Sequence, residues 1–143
     1  MGRWYNPFMT FVLRSPLHGL LDKGVLLITV TGRKSGRAIT TPVNYLREDG
    51  TLWITSLRER TWWRNLRGGA PVTVHLQGRD LKGTGQAIAD DEGVAAGLAH
   101  YLERAPQNAK YYGVALSPEG KPKGEDIARA ARDRVMVEVQ FER

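Results

Sequence analysis

The seven residues Val25-Leu26-Leu27-Ile28-Thr29-Val30-Thr31 form an apolar, β-branched run that Gly32 ends. Branching at Cβ packs well on a pleated surface and is less suited to a helix, so the run reads as a buried strand. Only Gly32-Arg33-Lys34-Ser35-Gly36-Arg37 separates it from a second strand-like segment, residues 38–47. Parallel strands need a crossover of about a dozen residues or more, so strands joined this closely pair antiparallel.

The same logic carries down the chain. Asp49-Gly50 is a strong hairpin signal that leads into a third strand, residues 51–55. Residues 60–67 read as a short helix closed by Gly68-Gly69. Val72, Val74 and Leu76 alternate onto one face of a fourth strand, residues 71–76, and Gly78-Arg79-Asp80 turns the chain into a fifth, residues 81–89. Asp90-Asp91-Glu92 puts acidic groups at the start of a helix reaching about Arg104, where they suit the helix dipole. A loop rich in Pro, Gly and Lys over residues 117–124, a small helix over 125–132 and a strand Val135-Met136-Val137-Glu138-Val139 complete the pattern. Six mostly antiparallel strands with interspersed helices imply a mainly β, α+β domain, and a small barrel disposes of the exposed edges best. A chain of 143 residues has room for one core, so a single domain over residues 1–143 is expected.

Ahead of the first strand, Phe8/Val12, Leu13/Leu17 and Leu17/Leu21 have helical spacing, and Pro16 interrupts it. Residues 1–23 therefore read as an amphipathic helical segment. It suits packing on the sheet, and it also suits peripheral contact with a membrane surface. No run of about 18 apolar residues and no ordered signal peptide is present, which makes a cytoplasmic protein the expectation.

The chain has no cysteine, which excludes disulfides, thiolate nucleophiles and thiolate-bound metals. His18, His75 and His100 lack ligand spacing, so no metal site is expected. The net charge of +6 calls for an acidic partner: nucleic acid, an anionic membrane, or a small molecule rich in phosphate and carboxylate.

Two clusters say where such a partner would sit. In the Gly32–Arg37 connection, Arg33, Lys34, Arg37 and the Ser35 hydroxyl share one glycine-flanked turn, whose successive amides can form an anion-binding nest. Neither the Walker order nor GxGxxG occurs, and a solvated hairpin turn is the plainer reading. Further on, Arg58-Glu59-Arg60-Thr61-Trp62-Trp63-Arg64-Asn65-Leu66-Arg67 combines four arginines with two tryptophans. Indole faces can stack on a planar heterocycle while arginines neutralise its anionic tail, though the same mixture suits single-stranded nucleic acid or a buried helix face. No catalytic constellation is readable. Tyr111 and Tyr112 could donate to a substrate oxygen or simply pack, so an enzyme of this sequence would rely on a bound cofactor for the reactive atom.

Four pieces in order resemble the deazaflavin-dependent nitroreductase/quinone reductase family of the flavin-binding split-barrel superfamily. They are residues 27–36, Thr41-Pro42-Val43-Asn44-Tyr45, Ile54-Thr55-Ser56 and Trp62-Trp63-Arg64-Asn65-Leu66. The resemblance implies a split β-barrel that transfers a hydride from reduced coenzyme F420, with FMN as the alternative cofactor, to a small-molecule acceptor: a quinone, nitroaromatic or enone. It implies that Arg33, Lys34, Ser35 and Arg37 hold the cofactor's phosphate and acidic tail. Thr40, Thr41, Pro42 and Val43 would line the ring, Thr55, Ser56, Leu57 and Arg58 would continue the pocket, and Trp62, Trp63 and Asn65 fall in the family's W-x-x-N-L helix. Tyr111 and Tyr112 would correspond to its tyrosines near the ring, as catalytic donors. Nucleic acid is not an expected partner on this reading. Other members of the superfamily carry flavins, tetrapyrroles or lipids without turnover, and such carriage is the alternative function.

Overall fold

Each strand of the structure, a computed structural model that describes residues 25–76 and 78–142, pairs with two neighbours. The strands are β1 (Val25–Thr31), β2 (Ala38–Glu48), β3 (Thr51–Leu57), β4 (Ala70–Leu76), β5 (Arg79–Ile88) and β6 (Arg134–Phe141). They close into a barrel in the order β1-β2-β3-β6-β5-β4, and all six pairings are antiparallel. The tight connections produce β1–β2, β2–β3 and β4–β5, as their lengths require. Closure comes from three pairings between distant segments, β1 with β4, β3 with β6 and β5 with β6. The helical stretch expected in residues 1–23 lies outside the described residues, and no described helix is long and apolar enough to cross a membrane.

Two helices, α1 (Asp91–Arg104) and α2 (Gly124–Ala131), lie outside the barrel. Asp90 caps α1 by accepting the Gly93 N–H, and Asp91 and Glu92 occupy its first turn. The helix expected over residues 60–67 is instead a 3-10 turn, Trp62–Leu66, followed by Gly68 and Gly69 at φ 81° and 91°. A second 3-10 segment, Pro106–Tyr112, follows α1 where the sequence pattern shows no element. It has no helical period to betray it, because short 3-10 turns carry little apolar repeat.

Two apolar clusters hold these parts together. Inside the barrel, Leu26, Ile28, Val30, Leu52, Ile54, Val72, Val74, Val137 and Val139 pack with Trp62, Trp63 and Leu66 from the 3-10 turn. Outside it, Val94, Leu98, Tyr101 and Leu102 of α1 and Ile127 of α2 pack with Met136, against Trp53. Each large side chain so buried contributes roughly 1.5–3 kcal/mol. Gly85 leaves room for Leu66, whose Cδ1 lies only 3.0 Å from where a Cβ would stand. The Trp62–Leu66 turn is thereby seated against the barrel wall, at the place where the candidate site forms.

Candidate functional site

Three hydrogen bonds shape the connection between β1 and β2. Gly32 N–H donates to Arg37 O and Gly36 N–H to Gly32 O, both at 2.8 Å, and Arg37 N–H donates to Ser35 Oγ at 3.1 Å. Gly36 makes the reversal at φ 72°, a conformation that costs a residue without Cβ little. A fourth bond, from Arg33 N–H to Asn65 Oδ1 at 3.0 Å, ties this turn to the 3-10 turn. The amides of Lys34 and Ser35 are left open to an outside acceptor, and all of Arg33, Lys34, Ser35 and Arg37 are exposed. Arg33 is partly spent within the protein, since its guanidinium donates to Arg67 O. Lys34 and Arg37 carry no such bond or ion pair among the described residues.

Two cavities adjoin this turn and share Arg60 and Trp62 as walls. The nearer, of about 340 Å³, is lined by Ile39, Thr40, Thr41, Glu59, Arg60, Thr61 and Trp62. The farther, of about 280 Å³, takes in Pro42, Val43, Asn44, Thr55, Ser56, Leu57 and Arg134, with Val25. Strand register explains the second grouping. Asn44 faces Thr55 across β2–β3 and Leu57 faces Arg134 across β3–β6. Because side chains alternate, Pro42, Asn44, Thr55, Leu57 and Arg134 all stand on the outer face of the barrel. The farther cavity is lined by two cations and no carboxylate.

Its walls are fixed by bonds among the same residues. Trp62 Nε1–H donates to Ser56 Oγ at 3.0 Å, and Arg60 Nη2 donates to Thr41 Oγ1 at 3.2 Å. Thr40 Oγ1 lies 2.8 Å from Thr29 Oγ1, which lies 3.0 Å from Nε2 of His75. The other ring nitrogen of His75 faces Asp80. Behind Thr55, the Tyr112 hydroxyl is 2.8 Å from Thr55 Oγ1, and the Arg134 guanidinium sits 4.6 Å above the centre of the Tyr112 ring. Tyr101 meets Tyr112 edge-on, and burial, reinforced by the Tyr112 charge, pushes its hydroxyl above the ordinary range. It stays protonated at physiological pH.

The structure thus brings most of the sequence-marked residues into one strip: the cationic turn, then Thr40 and Thr41, then Pro42, Val43, Thr55, Ser56 and Leu57, with Trp62 between. Others fall elsewhere. Arg58 donates to three main-chain oxygens, those of Arg132, Ala89 and Arg134, and borders a separate cavity of about 520 Å³. Trp63 is 1% exposed, with Arg64 and Arg67 over its ring and Nε1–H donated to Arg58 O. Asn65 spends its amide within the protein. Tyr111 is 71% exposed and meets Lys110, and neither Tyr111 nor Tyr112 lines the two adjoining cavities. Sequence reasoning missed Asn44, Arg60 and Arg134. Asn44 was within reach by alternation from Pro42, and Arg60 by its place in the arginine-tryptophan cluster. Arg134 joins the site only through the pairing of β3 with β6, which nothing local announces.

Comparison with known proteins adds the following. The sequence signature of the family described as F420H(2)-dependent quinone reductase matches residues 14–117. Among solved structures, the chain is similar to a Bacteroides thetaiotaomicron protein assigned to 5-nitroimidazole antibiotic resistance, at 16% identity and a TM-score of 0.55, covering 87% of this chain and 76% of that one. It is similar to an F420-H2 dependent reductase at 20% identity and a TM-score of 0.51, covering 84% and 96%. It is also similar to the general stress FMN/FAD binding protein of Xanthomonas citri, at 15% identity and a TM-score of 0.51, covering 86% and 79%. At these identities the likeness is one of fold. No curated protein sequence matches significantly.

Proposed function

The chain belongs to the F420H(2)-dependent quinone reductase family, and from that premise we propose that it binds reduced coenzyme F420 in the strip beside Trp62 and passes a hydride to an electrophilic acceptor, a quinone, nitroaromatic or enone. The observation that carries this reading is the order of the strip. Two unpaired cations and two open amides, at Lys34, Ser35 and Arg37, stand at one end, and a cavity walled by an indole, two threonines and an arginine stands next to them.

That order fits the group. A phosphate and an acidic tail need charge and amide donors without competing carboxylates, which the turn offers. A planar ring system needs a flat apolar wall with a few hydroxyls and amides for orientation, which Trp62, Thr41 and Pro42 offer. When bound, the deazaflavin supplies the hydride. The protein's part is to orient and to exclude water. Trp62, pinned through Ser56, holds one wall rigid, and Arg60, tethered to Thr41, separates the two cavities. None of these residues needs to change charge during the reaction.

Titration of the purified protein with F420 and with FMN, followed by tryptophan fluorescence, tests the cofactor. Oxidation of reduced F420 on adding menadione tests the transfer. Tight F420 binding with menadione-dependent oxidation is expected, and FMN is expected to bind more weakly. Tight binding without oxidation would favour carriage of the cofactor, and loss of any preference for F420 would overturn the assignment.

A further inference from the structure

The farther cavity contains one charged group that the reading above leaves without a task. Arg134 is half-buried, and its guanidinium has no hydrogen bond or ion pair among the described residues; its one neighbour of note is the Tyr112 ring face, 4.6 Å below. A partly desolvated cation without a counter-charge is costly unless an anion visits it. The other two arginines nearby are occupied, Arg58 on three carbonyls and Arg60 on Thr41. We propose that Arg134 is the residue that receives the oxyanion formed on the acceptor, and that Tyr112 serves as the shelf that holds it in place. This rests on the proposed hydride transfer.

The chemistry requires such a group. When a hydride adds to a carbonyl-conjugated acceptor, its electron pair makes the new bond to hydrogen, and the acceptor's π pair moves onto its oxygen. The deazaflavin donor is oxidised by two electrons, the acceptor is reduced by two, and the oxygen carries the negative charge until water protonates it. A cation fixed beforehand stabilises that charge without reorganising at the moment of transfer. Arg134 is fixed in this way. Its strand is locked between β3 and β5, and its fork lies flat on a ring that is itself anchored, since the Tyr112 hydroxyl is bonded to Thr55. Tyr112 is then a positioning residue, acting through the face of its ring.

The test uses p-nitrophenol, whose ionised oxygen stands in for the acceptor's oxyanion, and p-nitroanisole, its uncharged methyl ether, with the full chain free of cofactor. Trp62 emission reports occupancy, and absorbance of the phenolate reports ionisation. In the wild type the phenolate is expected to bind more tightly than the ether, with its ionisation eased. Arg134→Met is expected to weaken phenolate binding at least tenfold and to leave the ether unchanged. Arg134→Lys should recover part of the loss, and it guards against misfolding of the first variant. Tyr112→Phe, which retains the ring face, should keep the phenolate preference, whereas Tyr112→Leu should lose it. With reduced F420 and menadione, Arg134→Met should lower kcat by about 100-fold while F420 affinity stays put. Equal phenolate affinity in wild type and Arg134→Met overturns the proposal. If the wild type ignores F420 but still discriminates phenolate from ether through Arg134, the anion site stands and the hydride-transfer reading falls.

Discussion

Asn65 Oδ1 accepts the backbone N–H of Arg33 at 3.0 Å, while Asn65 Nδ2 donates to Trp62 O at 3.0 Å. One side chain therefore sets the cationic turn in register with the tryptophan wall. The W-x-x-N-L pattern marked this residue for the cofactor site, and the structure shows how it can serve there without touching a ligand. Asn65→Ala should speed hydrogen exchange of the Arg33 amide and cost about 1–2 kcal/mol for the two bonds. Asn65→Asp, which keeps the accepting oxygen, should leave that amide protected. Unchanged exchange in the alanine variant would show that the turn holds its shape alone.

Charge at the turn is separable from its shape. Arg33 also donates to Arg67 O, so its removal disturbs structure as well as charge. Lys34 and Arg37 are exposed and unpaired, so the Lys34→Ala/Arg37→Ala pair isolates the electrostatic part. Each charge-assisted contact is worth about 1.5–3 kcal/mol, so F420 should bind at least tenfold more weakly, and the loss should shrink at high salt. An unchanged dissociation constant would move the acidic tail elsewhere.

What the sequence disclosed, and what it withheld, divides along range. The β-branched run of β1 and the Asp49-Gly50 hairpin, where Asp49 takes φ 54°, declare themselves within a few residues. So does the cationic turn. The end of β3 does not, because Ser56 and Leu57 are strand only by virtue of Val135 and Arg134 across from them. Arg58 looked like a pocket residue because it follows the pocket strand directly. Its three carbonyl partners lie 31 to 76 residues away, and they turn its side chain to a different task. The 3-10 turn at Trp62–Leu66 passed for an α-helix because five residues are too few to show the period.

The bond between Thr55 and Tyr112 is buried at both ends. Thr55→Val keeps the shape and strands the phenol, which should cost about 1–3 kcal/mol, and Tyr112→Phe should strand the Thr55 hydroxyl in the same way. The double variant should cost less than the two together, because neither partner remains to be satisfied. Additive losses in denaturant unfolding would mean that the two hydroxyls do not share a bond.

Gly83 packs against its neighbour strand without slack: a Cβ there would stand 2.5 Å from Gln140 O, a backbone atom held in the β5–β6 ladder. Gly83→Ala should destabilise by about 1–3 kcal/mol, since the backbone must shift to admit it. Gly50, with nothing within 4 Å of the same position, should accept alanine with far less loss. Similar melting temperatures for the two variants would place β5 farther from β6 than the register has it.

Glu48, at the end of β2, accepts from His100 and pairs with Arg104, both on α1, and so fastens the helix to the barrel. The His100 hydrogen bond, opposed by partial desolvation and helped by the charges of His100 and Arg104, holds the Glu48 carboxyl below its ordinary 4.5. A carboxyl that ionises more readily folded than unfolded adds stability above the unfolded value, and loses it as pH falls through the folded one. Glu48→Gln should therefore lower the melting temperature near neutral pH, and the gap to wild type should close below the carboxylate range. Asp126 is depressed too, first by the Ala115 N–H and then by Arg129, so the single variant keeps part of its acid sensitivity. The Glu48→Gln/Asp126→Asn pair should flatten the acid limb of the melting profile further. A gap that stays constant as the pH is lowered would mean that Glu48 holds α1 by packing and not by charge.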